Sequence, residues 1–149
     1  MAVEVAKIVE RMMTAGQSWE SALDAHALAP PDAGFPMRLR SLSDAAAEQA
    51  EAFELAAEGG LGWRPRAVGD DFALAPELTP GMTRPGPPEM WERFDTAVAR
   101  FNHANAGTDA AAVAYAYSDV SAAALALADA VEVEDRAAVR RARRGATTA

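Results

Sequence analysis

Two histidines, His26 and His103, and a surplus of carboxylates are the groups with which this chain could do acid–base or metal chemistry. His103 stands in Arg-Phe-Asn-His-Ala-Asn, at the expected end of a helix. An imidazole there is a candidate base or ligand, but more simply it faces the helix's C-terminal carbonyls and their partial negative charge. His26 falls on an apolar seam, where a hydrogen-bonded, partly buried histidine is the simpler reading. Glu48, Glu51, Glu54 and Glu58 recur three and four residues apart and so share one helix face. A di-iron helical site would need Glu-x-x-His on two helices. Three residues before the histidines stand Leu23 and Arg100, so that motif is missing and the glutamates read as a solvated ridge. Asp70-Asp71 after Gly69 reads as a turn, because the alternating oxygen ligands of a calcium loop do not follow. The chain has no cysteine, which excludes thiolate nucleophiles, disulfides and thiolate-held zinc or iron–sulfur clusters. Phosphate-loop, dinucleotide-binding and nucleophile-elbow patterns do not occur. No catalytic, metal or cofactor-binding residue is assigned, and the expectation is a protein without enzymatic activity.

Recognition is the remaining chemistry. Trp63 lies among prolines beside Arg64 and Arg66, and tryptophan and arginine are the residue types enriched where interfaces concentrate their binding energy. With Phe72 and Arg84 they form the expected partner contact. Trp91, His103 and Tyr117 are candidate liners of a small-molecule pocket between helices and connector, the runner-up reading. The net charge of -8 is unevenly spread: residues 135–149 carry five arginines against one acid, leaving about -12 on residues 1–134. An acidic body complements a basic partner and repels nucleic acid at long range. The basic tail, expected to be flexible, and the segment from Ile8 to Arg40, with the rhythm of a helix-turn-helix reader, are the two routes to nucleic-acid contact. Against the second stand Pro30-Pro31, Pro36 and the acids Asp32, Asp44 and Glu48 around Arg38 and Arg40.

The elements that must position these groups are helices. At 149 residues the chain suits one domain, and about a quarter of it is alanine, the best helix former. The spacing predicts a first helix over 3–14, with Val5, Ile8, Val9 and Met12 on one face. Gly16 ends it, and Ser18 caps a short second helix over 19–28, although Val5, Val9, Met12, Gly16, Trp19, Leu23 and His26 would also fit one unbroken helix. A long helix follows over 35–58, with Phe35, Leu39, Leu42, Ala46, Ala50, Phe53 and Ala57 as its stripe and Gly59-Gly60 at its end. Residues 59–88 hold six of the ten glycines and six of the nine prolines, which forbids a helix. A short β-hairpin there would pair 63–68 with 72–78. Pro87-Pro88 opens the next helix, with Trp91, Phe94, Val98 and Phe101, and Thr108 or Asp109 caps the last. That last helix carries Val113, Tyr117, Val120, Ala124, Leu127 and Val131 at alternating spacings of four and three. Its seam would serve a homodimer as well as an internal core. The expected fold is all-α, a four- to five-helix bundle over residues 1–134 with a Pro/Gly-rich connector at 59–88. No run of 18 uninterrupted apolar residues occurs and the start is not a secretory signal, so a cytoplasmic protein without a membrane span is expected.

Three stretches carry a resemblance. They are 15–26 (AGQSWESALDAH), 28–35 (LAPPDAGF) and 84–95 (RPGPPEMWERFD). Through them the chain resembles a group of small, all-helical actinobacterial proteins, over residues 1 to about 134. The near absence of lysine beside thirteen arginines fits the codon bias of a GC-rich bacterium. The resemblance implies genes beside helix-turn-helix regulators and an accessory role in transcription regulation. It implies no catalytic residue. The leading expectation is a non-enzymatic protein-interaction or regulatory accessory protein acting with a DNA-binding partner.

Overall fold

The protein is seen here as a computed structural model that describes residues 2–27, 34–60, 84–107 and 109–148. Among the described residues the fold is all-α, with four helices: α1 (Ala2–Ala27), α2 (Phe35–Glu58), α3 (Pro88–Asn105) and α4 (Ala110–Thr148). The hairpin expected within 63–78 lies outside the described residues.

The break expected at Gly16 does not form, and α1 is one helix. A glycine inside a helix costs about 1 kcal/mol relative to alanine. Ala15 and Trp19, on either side of it and one turn apart, are both buried, with Trp19 wholly inaccessible. Fully burying one large apolar side chain contributes about 1.5–3 kcal/mol, so tertiary packing outweighs the local preference. The continuity also decides which face turns inward. Met12, Ala15, Trp19, Ala22 and Leu23 pack on the core, whereas Val5 and Val9, expected inside, are exposed.

The bounds of α2 and α3 follow the prolines and glycines. Pro36 and Pro88 stand in first turns, where no hydrogen bond is lost. Gly59 ends α2 with its N–H donating to the Leu55 carbonyl at 2.9 Å. A Cβ on Gly59 would come within 2.9 Å of Ile8 Cδ1, so the missing side chain lets α1 close over the end of α2. Asp109 caps α4, its Oδ1 accepting from Ala111 N at 3.0 Å and Ala112 N at 3.4 Å.

The central pair is α2 and α4, with α1 on α2 and α3 on α4. Each of these pairs runs antiparallel. Arg40 meets Asp129 and Glu132 at one end of α2, and Phe53 stacks on Tyr117 at the other. Between them Ser43 Oγ donates to the Ser121 carbonyl and Ser121 Oγ to the Ser43 carbonyl, both at 2.8 Å. This reciprocal pair satisfies a buried hydroxyl while holding the two backbones close. Each helix contributes one ring to an aromatic junction: Trp19, Phe53, Phe101 and Tyr117, with Phe101 and Tyr117 centroids 4.6 Å apart. A second cluster at the opposite end stacks Phe35 on Trp91 at 5.7 Å, with Phe94 edge-on.

The predicted seam of α4 is buried throughout, from Val113 to Val131. Ala110–Gly145 is long and apolar enough by composition to cross a membrane, and half of its most apolar stretch is covered by the other helices. Beyond Val131 the helix does not stop. It runs through 134–135, where the sequence placed the start of a loose tail, and on to Thr148, with the residues from Val133 to Gly145 exposed apart from the half-buried Ala137. No glycine or proline interrupts 109–144, and alanine and arginine are both strong helix formers, so the backbone has no local reason to end at 134.

Candidate interaction surfaces

Among the described residues, three regions of surface carry groups suited to recognition. The first lies where the segment 84–87 leads into α3. Arg84 stacks over the Trp91 ring at 4.6 Å and pairs with Asp95 at 2.9 Å. Trp91 Nε1 donates to the Pro85 carbonyl at 2.6 Å. Gly86 has φ +91°, and a Cβ on it would come within 2.9 Å of Val131 Cγ2. Only glycine meets both demands, so this short strap lies directly on α4. Beside it opens a groove of about 650 Å³ whose walls include Arg84, Trp91, Glu92, Asp95 and Ala99.

Among the described residues, Trp91, His103 and Tyr117 are not brought together in one pocket. Trp91 is buried in the α2–α3 stack while forming part of the groove wall. Tyr117 is buried in the aromatic junction. His103 is exposed in the last turn of α3, twelve residues or about 18 Å of helix from Trp91. Of the expected partner contacts, Arg84 is engaged with Trp91 and Asp95, while Trp63, Arg64, Arg66 and Phe72 lie outside the described residues. Asp70, Asp71 and the side chain of His26 lie outside them as well. The glutamates 48, 51, 54 and 58 are all exposed on α2, as expected of a solvated ridge, and Glu51 is paired with Arg11 of α1. Among the described residues no group of three or more acids and histidines is placed to hold a metal ion.

The second region is the outer face of α1. Val5, Val9 and Met13 stand one turn apart, 42%, 45% and 64% exposed, along a shallow groove with Ala6 and Gln17. Around this apolar line the exposed charges of α1 are mostly acidic: Glu10, Glu20 and Asp24 against Lys7 and Arg11. The segment read as a helix-turn-helix reader has a different geometry. Its first two expected helices are one, and Arg40 is held by α4 rather than offered outward.

The third region begins at that arginine. Arg40 reaches Asp129 at 2.7 Å and Glu132 at 2.8 Å. The paired hydrogen bonds to carboxylates hold its guanidinium above its already high pKa. In return the Arg40 hydrogen bond holds Glu132 below the ordinary carboxylate value, with Arg136 adding a favourable charge. Past this clasp the helix extends through 132–148, about 25 Å at 1.5 Å per residue. At 100° per residue, Arg136, Arg140, Arg143 and Arg144 fall within an arc of roughly 100°, and Arg141 lies to one side. All five are exposed. The signal for this element was legible as an uninterrupted helix-forming sequence; the Ser43–Ser121 pair and the Arg40 clasp had no local signal, since their partners are 78 and 92 residues apart. No family model, curated protein or solved structure matches the chain.

Proposed function

We propose that this chain is a non-enzymatic accessory protein, a helical bundle in the cytoplasm that docks a regulatory protein partner through the outer face of α1. The observation that carries this reading is the exposed line Val5, Val9 and Met13 on a helix whose opposite face already fills the core. An interface needs an apolar centre with a polar rim, and a helix offers one through anchors one turn apart. The rim here is acidic, and the body as a whole carries about -12. A partner with apolar anchors set among basic residues, the surface type of a DNA-binding regulator, is the complement, and the charge speeds its encounter.

The test is a variant, V9E/M13E, whose changes lie on the solvent side of α1 and leave Trp19 and Ala15 in place. In an affinity capture from the native lysate, wild type is expected to retain a stoichiometric partner that the variant loses. A partner retained equally by both would overturn the reading. The groove beside Arg84 and Trp91 supports a second reading, a small-molecule site of about 650 Å³. A ligand from a metabolite panel that raises the melting temperature of wild type but not of T96W would favour it.

A further inference from the structure

We propose that the arginine-bearing extension of α4 is a nucleic-acid backbone-binding helix, separate from the α1 surface and independent of what binds there. Three observations point the same way. The first is placement. The extension carries its arginines away from an acidic body that would otherwise repel phosphate. Arg143 lies twelve residues past Val131, about 18 Å of helix, and the Debye length at physiological salt is about 8 Å. At the far end of the helix the field of the body is screened, so its charge of about -12 does not set what Arg140, Arg143 and Arg144 attract, whereas Arg136 lies close to Glu132.

The second observation is composition. A protein partner would need an apolar centre, with an aromatic or aliphatic anchor. Past Val131 the exposed extension offers only Val133 and Val139 as large apolar side chains. Nucleic-acid interfaces are the more polar and more positive kind. The alanines 137, 138 and 142 between the arginines keep the helix slim. Arginine's planar fork fits phosphate oxygens in pairs.

The third is self-repulsion. Arg136–Arg140 and Arg140–Arg144 are four apart, and Arg140–Arg143 and Arg141–Arg144 three apart. Like charges at these spacings weaken a helix by a few tenths of a kcal/mol per pair. Glu132 offsets part of this at Arg136, and a row of phosphates along the arginine face would offset more. With four or five phosphate contacts, the logarithm of affinity should fall against log salt with a slope near -4.

The experiment is fluorescence anisotropy of a labelled 20-base-pair duplex of arbitrary sequence, titrated with the full chain from 50 to 200 mM NaCl. Wild type is expected to bind at 50 mM and lose roughly 250-fold in affinity by 200 mM. The variant R136Q/R140Q/R143Q/R144Q should not bind. The same four positions changed to lysine should bind with a similar slope, which separates charge from folding, and V9E/M13E should bind as wild type does. No binding at 50 mM, or undiminished binding by the glutamine variant, would overturn the proposal. So would tighter binding to polyglutamate than to the duplex, which would assign the helix to an acidic protein. An arginine-dependent change in oligomeric state without duplex binding would overturn it too, assigning the helix to the acidic face of a second copy.

Discussion

One helix, α4, lives two lives. From Ala110 to Val131 every fourth or third residue is apolar and buried: Val113, Tyr117, Val120, Ala124, Leu127, Val131. Continue the same register and the next positions are Glu134, Ala138, Arg141 and Gly145. The backbone geometry does not change, but the seam is gone. Helical propensity is a property of each residue and its near neighbours, so alanine and arginine carry the helix forward. Burial is a property of a face, and the face ends at Val131. The first half is held by the core; the second presents charge to whatever approaches it.

The sharpest way to break this contrast is to truncate matched side chains in the two halves. Leu127→Ala removes a fully buried side chain and should cost about 2–5 kcal/mol, read as a lower midpoint in urea. Val139→Ala, in the same helix but half exposed, should stay within about 0.5 kcal/mol. Equal effects would mean that the extension packs against something.

The boundary itself can be tested next. Gly86 sits over Val131 with positive φ and no room for a Cβ. Gly86→Ala must either strain the strap or push it off the end of the seam, and should cost about 1–3 kcal/mol. Thermal unfolding would show it, and an unchanged melting temperature would place the strap elsewhere.

The smallest effect belongs to the clasp. Glu132 titrates below the ordinary carboxylate value of 4.5 because Arg40 donates to it. A depressed carboxylate stabilises the fold fully above its unfolded value, and that contribution disappears as pH falls through the folded one. Wild type should therefore be slightly more stable than Glu132→Gln at pH 7, with the two converging below about pH 4.5. Both partners are partly solvated, so the difference at pH 7 should be modest and should shrink with added salt. A gap that does not narrow as the pH falls below 4.5 would assign the effect to packing rather than charge.

Much of the architecture was legible because its signals are local. Prolines in first turns and glycines at ends mark α2 and α3, and Asp109 marks the start of α4. The same local reasoning misplaced α1, where a glycine was given more weight than the tryptophan three residues beyond it. The residues around Trp63 lie outside the described residues, and among the described ones the exposed recognition surfaces are the outer stripe of α1 and the far end of α4.

The sequence by itself determined that this chain is helical, where three of its helices begin, and that the first half of α4 has a face to bury. Those follow from propensity, caps and periodicity, which act over a few residues. Only the tertiary structure decided which of the two apolar stripes of α1 turns inward, because Trp19 finds Phe101 and Tyr117 there and Val5 and Val9 find nothing comparable. It likewise decided that Ser43 meets Ser121, that Arg40 is spent on α4, and that Gly86 must lack a side chain. A periodic pattern specifies a face, and only the packing of distant segments specifies what that face meets.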